Sequence, residues 1–278
     1  MTGLEDLQGK VAVVTGGYGI IGQALATGMA RAGIRVAIAG RKIETAREAA
    51  NQIAAQTGGT LMAVTADVLD RNSLEAAKHA VNAAWGPIDF LVNCAGGAKP
   101  GAITAVEQMS SGDDLAKTVF GLDVDAFDEV FDLNFKGTLL PSLVFCTDMP
   151  GRGGVVINIS SMGAYQPLTK SPAYSAAKSS VNSFTMWLAV HLAKMDVRVN
   201  AVAPGFFLTE QNRFLMVDQQ TGEPTARARK VIAATPMGRF GQAEEPQATV
   251  LYLLSALARF VTGVVIPVDG GFNAYGGV

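Results

Sequence analysis

The chain has 278 residues, of which 49% are apolar and only 17% charged, with a formal net charge of −2. That balance, with a pI near 5.7, gives no general attraction to nucleic acid or to an anionic membrane surface. No apolar run approaches the roughly 18 residues needed to cross a bilayer, and the first residues lack a basic patch followed by an apolar stretch, so a cytoplasmic protein is expected.

Short runs rich in valine and isoleucine occur at 11–15, 35–39, 61–66, 88–93, 155–160, 197–203 and 264–268. Longer helical patterns, such as 22–32 and 43–56, alternate with them. Near-continuous apolar runs describe strands buried on both faces, which requires a parallel sheet covered by helices. The pattern predicts a doubly wound α/β fold, a seven-stranded parallel sheet of Rossmann type, in a single domain over 1–278. So few charges on a chain of this length also suggest apolar surface beyond one core, and an oligomer is expected.

Two segments break the alternation, near 96–124 and 206–240. Both follow strands and emerge at the carboxyl edge of the sheet, where open α/β sheets bind ligands. Segments this long are functional lids or disordered stretches. Cys94, in a strand pattern, and Cys146, ending a helical one, read as free thiols in a reducing compartment. His79 and His191 lie far apart in helical patterns, and no metal-ligand cluster is visible.

After the first strand comes Thr15-Gly-Gly-Tyr-Gly-Ile-Ile-Gly22, in which Gly17, Gly19 and Gly22 fit Gly-x-Gly-x-x-Gly. Such a turn brings backbone close to a pyrophosphate and holds its oxygens at a helix N-terminus. The second strand ends Ala39-Gly40-Arg41-Lys42. A binder of the unphosphorylated dinucleotide places an acid here for the ribose hydroxyls. Glycine beside two cations instead suits a 2′-phosphate on Arg41, so NADP is favoured and NAD remains possible; the alternative is that both cations face solvent. Asp67, ending the third strand, is placed to accept from the adenine amine. Asn93-Cys-Ala-Gly-Gly97, ending the fourth, offers small residues for close approach.

Tyr174 and Lys178 are four apart in Tyr-Ser-Ala-Ala-Lys, and so share one helix face. An ammonium there would draw a phenol with a free pKa of about 10 toward neutrality, giving an acid/base group for carbonyl and alcohol chemistry. Ser161 precedes the tyrosine by thirteen positions, at the end of an apolar run.

Together these residues resemble the short-chain dehydrogenase/reductase family over essentially the whole chain. The resemblance rests on the glycine run at 15–22, Asp67, Asn93-Cys-Ala-Gly, Asn134, Ser161, Tyr174-x-x-x-Lys178, Pro204-Gly205 with Thr209, and Val268-Asp-Gly-Gly271. The chain departs from the family at Ile20, where a loop glycine is usual, and at Cys94, where a second asparagine is usual. The resemblance implies a catalytic group of Asn134, Ser161, Tyr174 and Lys178. Tyr174 would transfer the proton, Lys178 would lower the tyrosine pKa and hold the nicotinamide ribose, Ser161 would bond the reacting oxygen, and Asn134 would brace a proton-relaying water. It also implies cofactor contacts from Gly16, Gly17, Tyr18, Gly19, Ile20, Ile21, Arg41, Asp67, Val68, Asn93, Ala95, Gly96, Tyr174, Lys178, Pro204, Gly205, Phe207 and Thr209, and a homotetramer.

Longer stretches, among them Phe131-Asp-Leu-Asn-Phe-Lys-Gly-Thr and Pro204-Gly-Phe-Phe-Leu-Thr-Glu-Gln-Asn-Arg-Phe214, resemble the D-mannonate oxidoreductase (fructuronate reductase) branch. The implied substrate is a polyhydroxylated acid. Lys170 or Arg213 would meet its carboxylate, while Gln211 and Asn212 would read hydroxyls. Two alternatives remain: reduction of a 3-oxoacyl thioester, and a non-catalytic protein that senses dinucleotide.

Overall fold

The computed structural model describes residues 3–208 and 213–277. Seven strands form one parallel sheet: β1 (Val11–Thr15), β2 (Arg35–Gly40), β3 (Leu61–Thr65), β4 (Phe90–Asn93), β5 (Gly154–Ile159), β6 (Val197–Pro204) and β7 (Val265–Val268). Their spatial order is β3-β2-β1-β4-β5-β6-β7. The fold is therefore the doubly wound one that the apolar runs predict. The strand bounds differ from the expected ones by at most two residues. The fourth run loses Ile88 and Asp89 because Asp89 is a polar brace: its carboxylate accepts from the Val11 amide at 2.9 Å and meets Arg152 at 3.3 Å.

Nine helices are described: α1 (Ile20–Arg31), α2 (Ile43–Thr57), α3 (Arg71–Trp85), α4 (Val124–Phe131), α5 (Gly137–Phe145), α6 (Pro172–Leu192), α7 (Arg213–Met216), α8 (Ala226–Ala233) and α9 (Pro246–Leu254). The two-residue period of the strands divides the core. Ala12 and Val14 face a cluster with Leu25 and Met29 of α1, Ile53 of α2 and Leu253 of α9. Val11 and Val13 face the opposite cluster, with Leu74 and Val81 of α3, Phe145 of α5 and Leu188 of α6.

The sequence order reverses direction at β1 and β4, which lie side by side. The crevice at that switch point is where such sheets receive ligands. Both irregular insertions arise at this edge, one between β4 and α4, the other between β6 and α9 and carrying α7 and α8. Cys94 and Cys146 are free thiols. Among the described residues, no helix is long and apolar enough to cross a membrane, and no group of three or more His, Cys, Asp or Glu could hold a metal ion.

Candidate active site

The turn after β1 is built on Gly16, at φ +62, rather than on Gly17. A Cβ on Gly16 would lie 2.8 Å from the Ala95 Cα, so only glycine lets the loop meet the end of β4. Gly17, expected at the cofactor, instead packs inward: a Cβ there would meet the Val14 carbonyl at 2.8 Å and Ile38 at 3.2 Å. Gly22 seats α1 on the loop, with Gly16 O only 2.4 Å from where its Cβ would be. Gly19 caps α1 without any side-chain hydrogen bond, and the first turn carries no acid. Its leading amides are therefore open to an anion.

A cleft of about 380 Å³ lies over this helix end, lined by Gly16, Tyr18, Gly19, Ile20, Ile21, Gly40, Arg41, Val68, Ala95 and Gly96 among others. Cys94, from the run expected to approach the cofactor, also lines it, as do Ala66 and Leu133, which the sequence did not single out. Shape, glycine backbone and open amides fit a dinucleotide. Asp67 lies between the lining residues Ala66 and Val68, one of its carboxylate oxygens accepting from the Leu69 amide at 2.9 Å. Asn93 points away: its amide nitrogen donates to Ser142 Oγ at 3.0 Å and Asn158 Oδ1 at 2.9 Å, and Asn158 in turn donates to Thr185. Strand alternation turns Asn93 into the interior, where it crosslinks β4, β5, α5 and α6 instead of reaching the crevice.

A second cleft, of about 290 Å³, shares Ile21, Cys94 and Gly96 with the first. It is lined by Asn134, Ser161, Tyr174, Lys178, Pro204, Gly205 and Phe207, so all four residues of the expected catalytic group meet there. Ser161 follows β5 and caps the turn Met162–Ala164, its Oγ accepting from Gly163 N at 3.0 Å. Tyr174 and Lys178 are presented by α6, which begins at Pro172. Asn134 lies in a π-helical turn, Asp132–Lys136, and is fully buried. Its amide donates to Gly97 O at 2.7 Å and Val130 O at 2.8 Å, while its oxygen accepts from Gly97 N at 3.2 Å. It thus clamps the chain after β4. Gly205 wedges against β7, where a Cβ would come within 2.6 Å of the Asp269 Cα.

The electrostatics differ from the expected pairing. Burial pushes the Tyr174 phenol above its ordinary value, against a hydrogen bond with Ser161 that pulls it down. Burial also lowers the Lys178 ammonium to about 8. Its Nζ donates to Ile159 O at 2.8 Å and stands 5.8 Å from the centre of the tyrosine ring. The lysine does not draw the phenol down here, because desolvation dominates both groups and the ammonium is aimed at a carbonyl.

The two insertions meet outside the residues that line the two clefts. Thr104 N donates to Lys170 O at 3.0 Å, and Ala102 packs with Ala173, next to Tyr174. Glu107 receives Lys230 of α8 on both carboxylate oxygens, at 3.0 and 2.9 Å. Lys170 and Arg227 add to the field that holds Glu107 below its usual range, behind the larger effect of Lys230 itself. Arg213 opens α7 and is exposed. Thr209, Gln211 and Asn212 lie outside the described residues. The cluster of Lys170, Arg227 and Lys230 joins residues up to 60 positions apart, so no local spacing announces it.

A family profile described as enoyl-(acyl carrier protein) reductase matches residues 19–273. The chain belongs to the short-chain dehydrogenase/reductase family. An uncharacterized oxidoreductase of Bacillus subtilis (strain 168), UxuB, is 49% identical, the match covering 99% of this chain and 98% of that one. A Haemophilus influenzae protein described as a candidate D-mannonate oxidoreductase, solved with NAD, superposes with a TM-score of 0.94 at 41% identity over 99% of both chains. A candidate 2-deoxy-D-gluconate 3-dehydrogenase of Agrobacterium tumefaciens, solved with NADP, has a TM-score of 0.78 at 32% identity, over 96% of this chain and 98% of that one. The protein is an NAD(P)-dependent oxidoreductase acting on CH–OH groups.

Proposed function

We propose that this oxidoreductase interconverts a secondary alcohol and a ketone on a sugar acid of the D-mannonate/D-fructuronate type. The observation that carries the reaction is the pair of continuous clefts, one fitted to a dinucleotide and one lined by Ser161, Tyr174 and Lys178. The bound nicotinamide supplies the hydride acceptor or donor. In reduction, Tyr174 gives its phenolic proton to the ketone oxygen; in oxidation it takes the hydroxyl proton as the hydride leaves the same carbon. Ser161 donates to that oxygen as its charge develops. Lys178, tethered to Ile159, would hold the ribose side of the nicotinamide. Asn134, by fixing Gly97, keeps the floor between the clefts rigid.

The acid is supported by the cationic cluster around Glu107 and by the substrates named for the Haemophilus and Agrobacterium proteins. A polyhydroxylated anion would put its carboxylate near Lys170, Arg227 and Lys230. Apolar side chains exposed along α6 (Met186, Trp187, Val190) and near the C-terminus (Phe260, Val264, Tyr275) support assembly into a homotetramer. The test follows absorbance of the reduced nicotinamide with NAD and NADP against mannonate, gluconate and an acetoacetyl thioester. Turnover of mannonate or gluconate is expected, with a loss of at least a hundredfold in Tyr174→Phe. Turnover of the thioester alone would refute the sugar-acid reading, and turnover surviving Tyr174→Phe would refute the mechanism.

A further inference from the structure

The carboxyl end of β2 normally presents an acid to the adenosine ribose. Here that position is Gly40, and the ring of Tyr18 lies on it. A Cβ built on Gly40 would fall 2.0 Å from Tyr18 Cε1, 2.6 Å from Cδ1 and 3.1 Å from Cζ. No side chain can occupy position 40 while the ring is there, so the ring fills the space in which an acid would begin. The two residues are separated by 22 positions in sequence and constrain each other by contact.

Tyr18 is held in this place. Its carbonyl accepts from Gln23 Nε2 at 2.7 Å, the loop around it is closed by Gly19 N to Gly16 O at 2.9 Å, and the side chain packs on the core cluster that contains Ile38. Tyr18, Gly40 and Arg41 all line the 380 Å³ cleft. We propose that Tyr18 replaces the β2 acid as the reader of the adenosine ribose. Its hydroxyl meets the ribose hydroxyls from the glycine loop, and Arg41 stands beside it for a 2′-phosphate. Cofactor choice is then set by the Tyr18–Gly40 pair rather than by Arg41 alone. A phenolic hydroxyl donates and accepts hydrogen bonds, and without a carboxylate it does not repel a 2′-phosphate as an acid would. This inference rests on the dinucleotide reading of the cleft and is independent of the substrate.

The test is calorimetric binding of 5′-AMP and 2′,5′-ADP to the full chain, with no turnover required. The wild type binds both ligands, with affinities within about tenfold. Tyr18→Phe keeps the ring and weakens 5′-AMP by about three- to tenfold, the loss of one hydrogen bond. Gly40→Asp alone weakens both ligands, because the new side chain expels the ring. Gly40→Asp with Tyr18→Gly restores 5′-AMP and discriminates against 2′,5′-ADP by at least about a hundredfold, as like charges oppose. Unchanged 5′-AMP affinity in Tyr18→Phe, or Gly40→Asp alone binding 5′-AMP as tightly as the double variant, overturns the inference. A wild type that binds neither nucleotide would instead remove the dinucleotide reading on which it stands.

Discussion

Lys178 is held in a position that costs the fold stability, and replacing it tests this directly. Burial lowers its pKa from the ordinary 10.5 to about 8. That drop is worth on the order of 3 kcal/mol. The unfolded chain binds the proton more tightly between pH 8 and 10.5, so stability rises with pH across that window, and the full cost is present below about pH 8. The hydrogen bond to Ile159 O offsets about 1 kcal/mol. Lys178→Met should therefore be more stable than wild type at pH 7 by about 2 kcal/mol, and the gap should close as the pH approaches 10. The buried thiols work in the opposite sense: Cys94 and Cys146 are pushed up to about 11 and about 12, so they withdraw stability above about pH 9. Cys94 also interacts with Lys178, so both proteins should carry Cys94→Ser. Cys146 then contributes equally to each. Urea unfolding from pH 7 to pH 10 reads the difference, and parallel curves for the two proteins would refute the buried-ammonium argument.

With the Tyr174 phenol raised by burial, oxidation of the alcohol should climb with pH through the alkaline range. Reduction, which uses the protonated phenol, should stay flat from pH 6 to 8; initial rates in both directions check this. Asn134→Ala frees Gly97 and should raise the dissociation constant for reduced cofactor, read by fluorescence, without changing the unfolding midpoint as much as a core truncation does. Asp89→Ala leaves the Val11 amide without its buried acceptor and should cost roughly 1–3 kcal/mol in urea unfolding, with kcat unchanged.

The sheet was legible because each strand is a short run of valine and isoleucine, and burial on both faces leaves no other use for such runs. Tyr174 and Lys178 were legible because they share one helix face, and Ser161 because it ends an apolar run, whereas Asn134 came only with the resemblance to the family. The glycines were read less well. Spacing alone made Gly17 the turn residue, whereas the positive φ falls on Gly16. Asn93 was expected at the cofactor as the end of the fourth strand, yet alternation turns its side chain inward to Ser142 and Asn158. The contact of Tyr18 with Gly40, and the meeting of Lys170, Arg227 and Lys230, depend on how loops fold across the sheet edge, and a linear pattern does not encode that. The direction of the Tyr174 shift was missed for a related reason: a four-residue spacing places Lys178 nearby, but it does not reveal that the ammonium points to Ile159 O.

The Glu107–Lys230 pair separates charge from mere bridging between the insertions. Both side chains are well exposed, at 49% and 68%, so the ion pair itself adds little to global stability. Its consequence is local, because Glu107 offsets part of the field of Lys230, Lys170 and Arg227. Glu107→Gln and Lys230→Met break the same bridge, yet they change the local charge in opposite directions. If an anionic substrate feels that field, Glu107→Gln should lower its KM by about two- to threefold and Lys230→Met should raise it by a similar factor, both effects shrinking at high salt. If the bridge matters only because it ties the two insertions together, both variants should raise KM alike. Steady-state KM for the sugar acid at low and high ionic strength decides between them, and a shift of the same sign in both variants would refute the electrostatic role of the cluster.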